Sequence, residues 1–240
     1  LILNTLRNYL LILMCLLIGL PSQAQSVFKH HNLRLGLSLT PFYSYRNLKA
    51  PSSLQTIVDE FNNLDKAKVG YSSSFNLLFT LHQRVIIETG VCYTDRGFNK
   101  NPAINLQDPS LEGIQNLFLK HHNKYVGVPI KLNLYLLNKK VRLFVSGGFN
   151  SGMLVASHIR VKSEENNGRI SRDYVKEKIQ NTHLIISAVA GVGLDFYLIK
   201  RLSFRFEPVI SYGIYNSQKN GIDYLPYEIG ANFGLHLGFK

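Results

Sequence analysis

Tryptophan is absent from the 240 residues, and cysteine and methionine occur twice each. Cys15 falls in an apolar leader, so Cys92 stands alone in the remainder and no intramolecular disulfide can brace the fold. Acidic residues are scarce, 15 against 27 lysines and arginines, for a formal net charge of +12. Beyond the leader, no stretch reaches the roughly 18 apolar residues of a membrane-crossing helix. There is no Pro/Ser-rich linker, no phosphate-cradling glycine motif, no Cys/His metal cluster and no carboxylate pair at a telling spacing. These absences give no cofactor or metal to expect and argue for one domain. Nucleic acid is not an expected partner either. The surplus cations (Lys66, Lys68, Lys120, Lys124, Arg160, Lys162 and Lys176 among them) are dispersed over expected loops and turns behind an export signal.

That signal is Leu1 to Gln25. Arg7 supplies a positive start, Leu10 to Leu20 a short apolar run, and Ser22-Gln23-Ala24 the small residues of a cleavage site, expected after Ala24. Its loss removes Arg7 and no acid, taking +12 to +11. Residues 25–240 are then the mature domain.

What the chain has in abundance is alternation. From Pro226 to Lys240, Ile229, Ala231, Phe233, Leu235, Leu237 and Phe239 fall on one face of an extended chain, and Glu228, Gly230, Asn232, Gly234, His236 and Gly238 on the other. Seven more segments do the same: Leu33–Tyr45, Gly70–His82, Arg84–Gly97, His122–Leu137, Val141–Ser157, Leu184–Leu198 and Leu202–Ile214. Links after the first, third, fifth and seventh are long, and those after the second, fourth and sixth are tight. Eight strands with this parity predict an all-β, antiparallel, up-and-down transmembrane β-barrel, with both termini on the periplasmic, short-turn side. In hydrocarbon every backbone N–H and C=O needs an internal partner, so such a sheet must close.

An eight-stranded barrel is just wide enough to be filled by side chains. The inward face carries Arg34, Glu88, Lys131, Arg142, Asp195, Arg205 and Glu207, four cations and three anions expected to pair among inward glycines. Tyrosines near strand ends (Tyr43, Tyr45, Tyr93, Tyr125, Tyr212, Tyr215, Tyr224 and Tyr227) are expected in interfacial girdles. Pro129, inward by parity, and Pro208, outward, are expected to mark bulges or bends. Ser53 to Lys66 reads as an amphipathic helix capped by Ser53, with Leu54, Ile57, Val58, Phe61 and Leu64 at helical spacing, packing on the barrel mouth. Ser163 to Lys178, charged and poor in apolar residues, reads as a mobile loop. The histidines (His30-His31, His121-His122, His158 and His183) read as exposed loop residues, and adjacent pairs in an extended chain point opposite ways.

The last strand resembles the signal read by the outer-membrane barrel assembly machinery, with Asn232, Gly234, Leu237 and Phe239 in register and Lys240 as a departure after the aromatic. The whole mature chain resembles the PorT-like outer-membrane β-barrel family. The likeness rests on Leu35-Gly36-Leu37, Glu88-Thr89-Gly90, Tyr125-Val126-Gly127-Val128-Pro129-Ile130-Lys131, Phe144 to Gly148 and Arg205-Phe206-Glu207-Pro208. It implies a small barrel in the outer membrane of Gram-negative bacteria, with lipid around it, and for some members a link to type IX secretion and gliding. The expected function is a non-enzymatic structural or accessory envelope component, docking other envelope or secretion proteins through its long loops. Two alternatives are an outer-membrane barrel enzyme acting on lipid, of deacylase or acyltransferase type, and a soluble lipocalin-like carrier with an apolar interior.

Overall fold

The computed structural model describes residues 32–49, 51–100, 114–137, 141–177, 183–217 and 223–239. The expected signal segment, His30-His31, the turn at Asn138–Lys140, Lys240 and parts of the long links lie outside them. In chain order come β1 (Leu33–Lys49), α1 (Gln55–Leu64), β2 (Asp65–His82), β3 (Val85–Arg96), β4 (Phe98–Lys100) and β5 (Ile114–Tyr135). They are followed by β6 (Val141–Glu165), β7 (Ile170–Glu177), β8 (Leu184–Tyr197), β9 (Leu202–Asn216) and β10 (Asp223–Phe239). Every pairing is antiparallel. β1 pairs with β2 and β10, and the ring closes through β3, β5, β6, β8 and β9, giving eight strands with no free edge.

The alternation is inside out relative to a soluble sheet. Leu37 is 67% exposed and Ile130 57%, whereas Asp195, Arg205 and Glu207 are fully buried. The apolar face therefore points away from the barrel, opposite to what a lipocalin-like carrier needs. On the long-loop side this outward band is bounded by Tyr43, Tyr71, Tyr212 and Tyr227, all exposed, with Tyr93 half-buried beside Tyr71. Tyr125 does not join the girdle. It shares the face of Gly127 and Lys131 and is buried inside, with the Arg96 guanidinium 5.1 Å above its ring.

The two prolines make no bulge. β3 and β5 keep one register on both sides of Pro129, from Thr89↔Ile130 to Cys92↔Gly127. β9 and β10 run through Ala231↔Pro208 without a shift. A missing N–H drops a ladder bond there but leaves the pleat intact. The register shifts fall elsewhere: between Thr80 and His82 where β2 meets β3, between Ile114 and Asn116 and between Lys124 and Tyr125 where β5 meets β6, and between Ile186 and Ser187 where β8 meets β9.

Beyond the band the strands continue. β5 begins eight residues before the expected His122 (122 − 114), and β6 runs eight beyond the expected Ser157 (165 − 157). The segment expected to be a mobile loop is instead β7, hydrogen-bonded along β6 from Ser157↔Glu177 to Glu164↔Ile170. Gly168 makes the reversal possible: its φ of +80° lies in the left-handed region, and its N–H donates to the Glu165 carbonyl at 2.9 Å. In the first long link, α1 stops at Leu64, and Asp65 and Lys66 already belong to β2. The expected Ser53 cap is not made, since Ser53 sits inside a 3-10 turn (Ser52–Leu54) with no side-chain capping bond. Val58 is the helix residue seen fully buried. No helix among the described residues is long and apolar enough to cross a membrane.

Candidate functional site

The short-turn half of the interior is organised around Arg205. Its Nε donates to Asp195 Oδ1 at 2.7 Å, Nη1 to Glu88 Oε2 at 2.6 Å, and Nη2 to Tyr135 OH at 2.9 Å and Asp195 Oδ2 at 3.1 Å. Lys131 Nζ bridges Glu88 and Glu207, 3.1 Å from each. Arg34 reaches Asp195 at 3.5 Å, and the Tyr135 hydroxyl donates to the same carboxylate. Asn133, Ser146 and Asn232 also donate to carboxylate oxygens of Glu88 and Glu207. Thus Arg34, Lys131 and Arg205 balance Glu88, Asp195 and Glu207, three against three. A buried carboxylate is tolerable only with partners of this number.

Arg142 is buried on the same face but stands apart from the acids. Its guanidinium lies 3.9 Å from the Tyr135 ring and donates to Tyr197 OH at 2.9 Å. Sequence reasoning missed the apolar plug beside it: Leu78, Ile86, Tyr135 and Phe144 form one buried cluster. Leu78, Ile86 and Phe144 sit in runs apolar on both faces, where alternation carries no signal. Two close approaches need glycine. A Cβ on Gly193 would lie 2.3 Å from Phe144 Cζ, and one on Gly36 would lie 2.1 Å from His236 Cδ2.

The long-loop half is looser. A polar cavity of about 100 Å³, walled by Ser38, Ser74, Asn76, Thr94, Asn150 and Arg96, lies above the network. Arg96 Nε and Glu228 Oε1 are 3.1 Å apart, yet neither atom makes a hydrogen bond among the described residues.

Beyond the girdle a second cluster crosses four strands. Between Tyr71↔Asp95 and Ala67↔Phe98 the register of β2 slips by one residue, and Lys68 occupies the slip. Its Nζ is 2.6 Å from Asp95 Oδ1 and 2.9 Å from His122 Nδ1. The Asp95 carboxylate takes His122 Nδ1 at 3.0 and 3.1 Å. With Nδ1–H donated to Asp95, Lys68 donates to Asp95 too. The His158 ring stacks on His122, centroids 4.8 Å apart, and Tyr174 tilts against His158 at the same distance. His121 faces the other way and stacks on Phe98 at 4.2 Å. His122 and His158 are therefore buried, not the exposed loop residues expected, and Lys68 is buried with them. Burial alone would raise Asp95; the hydrogen bonds from His122 and Lys68 outweigh it and hold the carboxyl down to about 2. Burial lowers His121 to about 4 and lowers His158, with His122 adding to the latter.

A carboxylate that fixes an imidazole is half of a general-base unit. Among the described residues no nucleophile is placed against it. His122 Nε2 is buried with no partner among the described residues, and the Ser157 hydroxyl is engaged by Asn123 and Glu177. Among the described residues no group of three or more His, Cys, Asp or Glu is placed to hold a metal.

The residues of the expected assembly signal lie on β10, which closes the ring. Asn232 is buried, donating to Glu207 at 3.0 Å and accepting from Thr40 at 3.2 Å; Gly234 adjoins the His236 ring. Leu237 and Phe239 are exposed on the outward face.

A sequence model of the outer membrane protein beta-barrel domain matches residues 23–219. No protein with a curated description matches by sequence. Among solved structures, a major outer membrane protein from Thermus thermophilus is 10% identical with a TM-score of 0.46, covering 87% of this chain and 100% of that one. The outer membrane protease OmpT of Escherichia coli is 10% identical with a TM-score of 0.45, covering 91% and 99%. OprG of Pseudomonas aeruginosa is 10% identical at 0.40, covering 88% and 98%.

Proposed function

Since the chain belongs to the outer membrane protein beta-barrel domain family, we propose that it serves the outer membrane as a non-enzymatic structural or accessory component. In this reading the long-loop end faces the exterior, both termini face the periplasm, and another envelope protein docks on the long-loop end. The observation that carries it is a contrast between inside and end. The interior is tied shut by the six-charge network and the Leu78–Ile86–Tyr135–Phe144 plug. Beyond the band, β5, β6 and β7 project as a sheet far longer than a bilayer needs, since a spanning strand takes about 9–11 residues and β6 has 25. A barrel built this way acts through what it presents, not what it passes. The PorT-like resemblance makes secretion or gliding machinery the first partner to seek, on fold-level grounds.

Gentle solubilisation and co-purification test this. The intact chain retains a partner that a variant with Ile170–Glu177 replaced by a short turn loses. Retention by both, or by neither, refutes docking through this end. A tag at Asn167, accessible on intact cells, checks the orientation.

A second reading, a rim enzyme acting on lipid, draws on the Asp95–His122 pair alone. Lipid deacylation by the purified protein, abolished by His122→Ala and spared by His121→Ala, would favour it over the first.

A further inference from the structure

The sheet beyond the girdle has two unlike faces. On β5, Phe118, Lys120, His122 and Lys124 alternate onto the face of Val126 and Val128, the face that meets lipid lower down. Register brings Arg160 opposite Lys120 and Lys162 opposite Phe118 on β6, then Arg172 and Tyr174 opposite those on β7. Lys176 follows, opposite His158. Six cations thus share one surface: Lys120, Lys124, Arg160, Lys162, Arg172 and Lys176. Lys162 is paired with Glu164 at 2.7 Å, and Asp95 is taken by Lys68 and His122. Lys120, Lys124, Arg160, Arg172 and Lys176 make no salt bridge among the described residues.

Lys120, Arg160, Lys162 and Arg172 border a groove of about 640 Å³, with Phe118 and Tyr174 in its walls and Asp173 as its acid; Lys124 and Lys176 lie outside its lining on the same face. Clustering like charges costs free energy unless anions answer them, and apart from Glu164 at Lys162 no described acid lies within ion-pair distance of these six. We propose that this groove binds the phosphorylated sugar headgroup of an anionic glycolipid in the surrounding leaflet. Cations meet the phosphates, while Phe118 and Tyr174 offer flat apolar surfaces to sugar rings. The source is lipid, not a soluble anion, because the cationic surface continues the lipid-facing one directly: Lys124 is two residues from Val126. A headgroup lying on the bilayer reaches both at once. The proposal rests on the long-loop end lying in the headgroup-bearing leaflet.

The test is a titration of the full-length protein in neutral detergent micelles with diphosphorylated lipid A, bound lipid being counted by native mass spectrometry. Binding is expected to weaken with added salt and on removal of the phosphates. Lys120→Gln, Arg160→Gln and Arg172→Gln together should weaken it about a hundredfold, at roughly fivefold per charge near a membrane surface. Arg201→Gln, at the short-turn end, should leave it unchanged. Retarded migration of unheated protein in gels verifies that each variant is folded. Arg172→Gln alone, on β7 outside the closed ring, gives the fivefold readout if the triple variant does not fold. Equal binding of dephosphorylated lipid A, or unaltered binding by the folded variants, overturns the proposal. So does competition by glucosamine-1-phosphate at the concentration at which lipid A saturates, which would assign the groove to a soluble anion. Micelles have no sides, so this result is independent of the Asn167 tag that tests orientation.

Discussion

Two buried arginines, Arg205 and Arg96, sit inside the same barrel and are treated in opposite ways. Arg205 uses Nε and both terminal nitrogens on two carboxylates and a phenol, and packs over the Phe144 ring at 4.3 Å. Arg96 has one acid, Glu228, at ion-pair distance, and its Nε and Nη1 make no hydrogen bond among the described residues. The first arrangement closes the short-turn half around a saturated network. The second borders a polar cavity and leads up to the Lys68–Asp95–His122–His158 cluster. The interior is therefore most fully bonded where it has nothing to present and least so below the sheet extension where the proposed docking takes place.

The sharpest way to break this contrast is Arg205→Leu. Removing one partner from a saturated buried network leaves Asp195 and Glu88 under-compensated, for an expected loss of about 3–5 kcal/mol in urea unfolding from lipid vesicles. A loss under about 1 kcal/mol would show that the network is ornamental. Next comes the band dividing the two ends. Ile130→Arg should cost about 2–4 kcal/mol in the same assay, since Ile130 is exposed on the outward face, well below the girdle level marked by Tyr93↔Val126. Lys124→Gln, beyond the girdle, should stay within about 0.5 kcal/mol.

Replacing Arg96 and Glu228 together, by Leu at both positions, is expected to change stability by no more than about 1 kcal/mol, because an incompletely bonded pair returns little beyond its own desolvation. A large loss would put the long-loop half on the same footing as the short-turn half.

The smallest effect concerns acid. His158 has a folded pKa below its usual 6.5, so its neutral form is the one the fold accepts, and stability is lost as pH falls below about 6.5. Asp95, held near 2 against an ordinary 3.8, contributes stability above that ordinary value which disappears as pH falls through about 2. Amide exchange in Phe118–Lys124 and Ala156–Lys162 should quicken first between about pH 6.5 and 4, with the barrel strands protected throughout. Uniform exchange across both regions would refute the division.

How far the sequence discloses this depends on what surrounds each segment. In the band, lipid on one side and a charged interior on the other force opposite chemistry on successive residues, so strand starts such as Leu33, Val141, Leu184 and Leu202 can be read directly. The same pressure makes Arg34, Glu88, Lys131, Asp195, Arg205 and Glu207 legible as inward residues. It fails where runs such as Leu77–Phe79 or Leu143–Val145 are apolar on both faces, which hid Leu78 and Phe144. It fails again above the girdle, where water reaches both faces and alternation loses its cause, so β7 reads as a loop. Lys68, Asp95, His122 and His158 are spread over 90 residues (158 − 68), and only strand register unites them.

The absence of tryptophan offers a direct measurement of which face meets lipid, since any single Trp introduced is a background-free probe. Phe75→Trp and Phe233→Trp report the outward face, Phe144→Trp and Tyr125→Trp the interior. In vesicles of lipid brominated on its acyl chains, the first pair should be strongly quenched and the second pair should keep its emission. Strong quenching at Phe144 and Tyr125, with Phe75 and Phe233 unaffected, would contradict the assignment of faces and the account built on it.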